Sequence, residues 1–233
     1  GAVYEAYLDE VDRKNKGQYY TPRPVVQFIW DRVGFDHPSR IFRFGEGTRQ
    51  PRVVADFCTG SGGFLVEAAR RIREAVLGAD FDPADPDALA RVSADDLSLA
   101  MRAIIEGLRG AEIDAFAYYL TEVNLLIQLT PIIAAMQKKA PHARRFGRDF
   151  ALAVLHQDAL KLHNRLQPTL NDDSHNQVPE FVREDEVYKE DRRHDIVSFS
   201  GFKRIVYDWL KDAREMDYVC SNPPYVGEKG HKE

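Results

Sequence analysis

Apolar positions along this chain alternate between helical and strand-like spacing. Val3, Tyr4, Tyr7, Leu8 and Val11 recur every three or four residues and predict a first helix. A Gly-Gln-Tyr-Tyr-Thr-Pro loop follows at 17–22. Pro24 then opens a second helix to about residue 33, with Val25, Val26 and Ile29 turned inward. Residues 52–57 form a short buried strand around Val53, Val54 and Ala55. It runs into Cys58-Thr59-Gly60-Ser61-Gly62-Gly63-Phe64, after which Phe64, Leu65, Ala68, Ile72 and Val76 share one helix face. Strand, glycine-rich turn and helix, in that order, open a nucleotide-binding α/β fold.

Residues 77–96 are rich in Asp and Pro and read as a loop insertion. Asp80, Asp82, Asp85 and Asp87 have some of the spacing of a calcium loop but lack its glycine and closing glutamate. A helix over 97–106 leads to a second strand, 108–113. The next helix carries Phe116, Tyr119, Leu120, Val123 and Ile127 on one face and is expected to break near Thr130-Pro131. A third strand, 150–156, ends at Gln157-Asp158. The charged stretch 171–195 reads as a surface loop. An amphipathic helix with Phe202, Ile205, Val206, Trp209 and Leu210 feeds a fourth strand, 216–220, and then Ser221-Asn222-Pro223-Pro224-Tyr225. There is no internal repeat.

Composition narrows the class. At 233 residues, 44% hydrophobic and 30% charged, the chain suits one soluble globular domain with appendages. No apolar run is expected to reach membrane-spanning length, and no signal peptide is visible. The two cysteines, Cys58 and Cys220, lie at apolar strand ends outside any metal-spaced cluster, which suggests buried, reduced thiols in a cytoplasmic protein. The net charge of −5 does not by itself suggest a nucleic-acid binder. It is concentrated, however. Residues 171–195 hold nine acidic and four basic residues, leaving 28 acidic (37 less nine) and 28 basic (32 less four) elsewhere.

Asn222-Pro223-Pro224-Tyr225 has the chemistry to engage an unreactive amino group. The nitrogen of such a group has its lone pair delocalised. The Asn222 side-chain oxygen and the Pro223 carbonyl can both accept from its N–H groups, which favours a tetrahedral nitrogen and frees the lone pair. The two prolines fix φ and remove donors, and Tyr225 offers a ring for a planar base. Three other strands also end in polar devices, where open α/β sheets bind ligands. Asp56 ends the first, with Gly60 and Gly62 beyond it. Glu112, followed by Asp114, ends the second and suits two ribose hydroxyls. Asp158 ends the third and suits an adenine amino group. Asp-x-x-x-Gly-x-Gly is not the dinucleotide fingerprint and fits a ligand with an amino-acid portion. No metal is expected, and His156 and His163 read as ordinary surface or strand-end residues.

These residues resemble the class I S-adenosylmethionine-dependent methyltransferases, and within them the amino-methylating DNA enzymes. The resemblance implies a Rossmann-like sheet, here about four parallel strands of an incomplete one. Residues 1–35 would form an N-terminal helical segment. Residues 36–233 would begin the catalytic domain, with insertions at about 77–106 and 161–200. It implies cofactor contacts from Gln18, Tyr20 and Thr21, from Asp56, Thr59, Gly60, Ser61, Gly62, Gly63 and Phe64, and from Glu112 and Asp158. Asn222, Pro223, Pro224 and Tyr225 look like the catalytic motif of adenine-N6 methyltransferases. The early Gly-Gln-Tyr-Tyr-Thr-Pro loop is similar to that of type I modification subunits, type IIG enzymes and related phage-defence methyltransferases. DNA, and a specificity or nuclease subunit, are the partners implied. Further strands and a target-recognition region are expected beyond this chain. The 56 positions between Asp56 and Glu112 far exceed the roughly 20 usual for a dinucleotide unit, and the 77–106 insertion accounts for them. A protein glutamine amide or RNA guanine N2 as acceptor, and a non-catalytic cofactor-binding scaffold, stay open as alternatives.

Overall fold

The computed structural model describes residues 20–45, 47–139, 152–159 and 216–224. The expected first helix, Gln18, the 171–195 stretch, the helix around Trp209 and Tyr225 lie outside them.

The sheet has four strands in the order β5-β4-β3-β6: β3 (Val54–Asp56), β4 (Leu108–Glu112), β5 (Ala153–His156) and β6 (Tyr218–Val219). Every pair is parallel, with Asp56 opposite Gly110, Ala55 opposite Val219 and Glu112 opposite His156. β3 and β4 are buried along their whole length, as parallel strands covered on both faces are. The chain is therefore α/β and Rossmann-like, as the sequence suggests. Because all four strands run one way, their carboxyl ends share one edge, and the four polar devices with them.

Three helices form the layer against the sheet: α3 (Gly63–Leu77), α5 (Ala94–Gly107) and α6 (Ala115–Lys139). The expected loop at 77–96 is partly helical. Its acids cap helices: Asp85 accepts from the Asp87 N–H at 2.9 Å to start α4 (Pro86–Arg91). Ser93 and Asp96 form a reciprocal capping box, so α5 begins at Ala94, three residues earlier than expected. The insertion is thus a core layer, burying Leu97, Ala100, Ala103 and Ile104.

α6 corrects two expectations. It runs unbroken through Pro131. That proline removes the N–H due to the Ile127 carbonyl, but Ile127 lies on the solvent side (57% exposed), where the lost bond is cheapest. The face that packs inward is Ala117, Thr121, Leu125, Leu129, Ile132 and Ala135, while Phe116, Tyr119, Val123 and Ile127 are exposed. The helix is apolar on most sides, so periodicity could not choose the inward face; a small side chain is required at Thr121, where the helix comes close to Gly62. By length and composition α6 also could cross a membrane, contrary to the expectation that no such run exists; it packs on α3, α5, β4 and β5, with 33% of its apolar stretch buried.

The second expected helix is α1 (Arg23–Val33), closed by Gly34 at φ 72°. It buries Val26 and Trp30, but Val25 is exposed. Trp30 donates to the Phe64 carbonyl (3.2 Å) and packs near Phe35 and Tyr218, seating α1 against α3 and β6. A short helix, α2 (Pro38–Ile41), leads into a hairpin of β1 (Phe42–Gly45) and β2 (Thr48–Pro51) that the sequence reading missed. At the amino end of β6, Asp217 accepts from Arg43 (2.7 Å), Arg52 (2.7 Å) and the Val53 N–H (2.9 Å), locking this hairpin to the sheet.

Candidate active site

The loop after β3 is shaped by its glycines. Gly60 (φ 54°) and Gly62 (φ 85°) are left-handed, a conformation costly for residues with a Cβ. Space beyond Gly60 is open, whereas a side chain on Gly62 would meet Thr121 at 3.1 Å. Gly110 in β4 has the same logic: a Cβ there would stand 2.6 Å from the Thr59 methyl group. Thr59 is buried and its N–H donates to Ala111 (3.2 Å), stitching the loop to β4.

α6 holds the loop from the other side. Thr121 donates to the Gly60 carbonyl (2.8 Å) and Asn124 to the Ser61 carbonyl (2.9 Å). The sequence reading missed both. Their signal was two polar residues three apart in an apolar helix, which need partners when packed inward. Gly63 begins α3 with the Tyr20 ring near it. Phe64 is buried in the apolar core.

Glu112 closes the loop from β4. One carboxylate oxygen accepts from the Gly60 N–H (2.7 Å) and the other from the Asp114 N–H (2.9 Å). The Ile113 N–H is a further backbone donor to this carboxylate, which has more acceptor positions than these three partners fill. Burial nonetheless pushes the Glu112 pKa above the usual range. Asp114 caps α6 by accepting from the Ala117 N–H (2.9 Å). Asp158 lies half-buried just past β5, whose end is tied to β4 by the Gln157 N–H on the Glu112 carbonyl (2.8 Å).

Asp56 is fully buried. One oxygen accepts from the Cys58 N–H (3.1 Å) and the Ser221 hydroxyl (2.8 Å); the other has no partner among the described residues. Desolvation is the largest effect and raises its pKa to about 7, against those two hydrogen bonds. Cys58 and Cys220 are pushed up to about 11, first by burial and then by nearby carboxylates. They are neutral thiols and poor nucleophiles. The carboxylates of Asp56, Glu112 and Asp158 each add to the rise at Cys58. Among the described residues no group of His, Cys, Asp and Glu is arranged to hold a metal ion.

The turn after β6 stands beside this cradle. Asn222 donates from Nδ2 to the Thr21 hydroxyl (3.0 Å), joining the early Tyr-Thr-Pro loop to the Asn-Pro-Pro turn across 201 positions. That bond orients the amide, turning Oδ1 away from Thr21. Pro223 and Pro224 are exposed. The structure so gathers Tyr20, Thr21, Asp56, the 59–63 loop, Glu112, Asp158 and Asn222 at one edge. Chemically, it offers carboxylates and open backbone for a ligand bearing positive charge and hydroxyls. Next to them stands the Asn222 amide, tied to Thr21.

A family model described as N-6 DNA methylase matches residues 1–139. That span contains the Gln18–Thr21 loop, the 56–64 loop and Glu112, and ends before Asp158 and Asn222. Searches of the curated proteins and of the solved structures found no match.

Proposed function

The chain belongs to the N-6 DNA methylase family, and from that premise we propose that it moves a methyl group from S-adenosylmethionine to the N6 amino group of an adenine in DNA. The setting proposed is a restriction-modification or phage-defence system in the cytoplasm, with a specificity or nuclease subunit as partner. The observation that supports this best is the hydrogen bond between Asn222 and Thr21. It puts the turn suited to an amino group directly against the loop suited to the methyl donor.

The residues present fit that donor. The open space beyond Gly60 admits a ligand close to the backbone. The unpartnered Asp56 oxygen and the remaining acceptor positions of Glu112 suit a cationic molecule carrying a ribose. When bound, S-adenosylmethionine supplies an electrophilic methyl on a positively charged sulfur. Asp56 and the 59–63 loop would hold its amino-acid end, Glu112 the ribose hydroxyls and Asp158 the adenine amino group.

On the acceptor side, the target base leaves the duplex stack, as enzymes acting on a base require. Asn222 Oδ1 and the Pro223 carbonyl accept from its amino group and draw the nitrogen towards tetrahedral geometry. Tyr225 would supply the stacking surface. No strong general base is needed, because the nitrogen turns acidic once it carries the methyl. Positioning is the main contribution of the chain.

The test is radiolabelled methyl transfer by the full-length protein to methylation-free DNA and, separately, to protein extract and RNA. Label at adenine N6 is the expected result. Label in protein or RNA selects the alternative acceptors, and donor binding without transfer selects a scaffold role. Asn222→Ala should abolish transfer, by about 1,000-fold or more, since it removes an acceptor aimed at the reacting group. Calorimetry should show its donor affinity nearly unchanged.

A further inference from the structure

We infer that Ser221 is a positioning residue for methyl transfer: its hydroxyl anchors the Asn222–Pro223–Pro224 turn to the end of β3. The inference rests on the reading of Asn222 as the group that receives the acceptor amine.

The β3–β6 ladder ends in an unusual way. The Cys220 N–H donates to the Ala55 carbonyl at 3.0 Å, as parallel pairing requires. The next rung of such a ladder would run from the Phe57 N–H to the Cys220 carbonyl. Instead the Phe57 N–H donates to Ser221 Oγ at 2.9 Å. A side chain takes the place of the main chain, and the backbone of β6 leaves the sheet one residue early without losing its tie to it. After Asn222 come two residues with no N–H at all. The turn therefore has no amide of its own at Pro223 or Pro224 with which to grip the sheet, and the Ser221 hydroxyl is its nearest anchor on β3.

That anchor has one orientation. A hydroxyl has a single proton to give. Because Ser221 Oγ accepts from Phe57, its proton goes to Asp56 Oδ1, at 2.8 Å. The same oxygen accepts from the Cys58 N–H, the first turn of the glycine loop. One carboxylate oxygen thus sets both the loop and the turn. Thr21 then fixes the far end of Asn222 through its amide. Two points define the direction in which Oδ1 is presented, and Ser221 supplies the one nearer the backbone.

The experiment measures methylation of methylation-free DNA by the full-length protein at saturating donor and DNA, for wild type, Ser221→Ala and Ser221→Thr. Donor affinity is measured by calorimetry and folding by thermal melting. Ser221→Ala should lower kcat about 10- to 100-fold, the scale of a small misplacement of a reacting group. Its donor Kd should stay within about threefold, because the glycine loop keeps its ties to Glu112, Thr121 and Asn124. Ser221→Thr, which keeps the hydroxyl, should recover most of the rate. An unchanged kcat in Ser221→Ala overturns the inference. So does an equal loss in both variants together with weaker donor binding and a lower melting point, which marks a folding role. A wild type that transfers no methyl to DNA, or an Asn222→Ala protein that still does, sinks the underlying reading and the inference with it.

Discussion

Two aspartates sit at opposite ends of the same strand pair and are treated in opposite ways. At the amino end of β6, Asp217 receives two arginines and a backbone N–H, and these hold its carboxyl below the usual range despite burial. At the carboxyl end of β3, Asp56 receives one hydroxyl and one N–H and, among the described residues, no cation, and is raised to about 7. One end is saturated with donors and the other is left short of them. A carboxylate that only holds a fold together gains from every partner it can find. A carboxylate kept for a ligand must leave an oxygen for it, and the fold carries the cost.

Exchanging the two charges for neutral groups tests that contrast. Asp56→Asn keeps an acceptor for Ser221 and removes the ill-solvated charge. Donor binding should weaken most of all, about 30- to 100-fold, which is the loss of a charged partner for a cation. Stability in urea should stay the same or rise. A variant that binds the donor normally but unfolds early would reverse the roles assigned to the two ends. Asp217→Ala should do the opposite and lose about 2 kcal/mol of stability, because two arginines and an N–H lose their shared acceptor. The kcat of its folded fraction should match wild type.

The pH dependence sharpens the contrast further. An unfolded Asp ionises near 3.9, so between about pH 4 and 7 the folded protein holds a proton on Asp56 that the unfolded chain has released. Asp56 therefore makes stability fall as pH rises through that window. Asp217, with its lowered pKa, contributes stability above the ordinary carboxylate range and loses it as pH falls through its folded value. Urea titrations at pH 5 and pH 8 should show Asp56→Asn gaining stability relative to wild type at the higher pH. The smallest effect should come from Thr21→Val, which keeps the shape but frees the Asn222 amide to turn. A loss in kcat of about 3- to 10-fold is expected, the worth of one neutral hydrogen bond.

The strand ends were legible because each puts an acid or amide directly after a short apolar run, and parallel strands must end together. The glycine loop was legible because Gly60 and Gly62 have a backbone reason to be glycine. What escaped was tertiary. The inward face of α6 was misread because large apolar residues look like core, whereas the helix turns Thr121 inward where it comes close to Gly62. The β1–β2 hairpin escaped because it is mostly polar and exposed, although Phe42 and Phe44 alternating before a Gly45–Gly47 turn were a usable signal. Ser221 escaped because its importance lies in a ladder bond that exists only once β6 has docked on β3.

That docking sets an order of events during synthesis. The loop at Gly60 draws its partners from residues no later than Asn124, so they leave the ribosome early. Ser221 follows Phe57 by 164 positions. Asn124, which completes the loop's ties, precedes Ser221 by 97 positions (221 less 124), so at about 5–20 residues per second roughly five to twenty seconds pass between them. During that interval the nascent chain has the glycine loop but no Asn-Pro-Pro turn beside it. The edge of β3 meanwhile offers unpaired main-chain groups to any strand that arrives first.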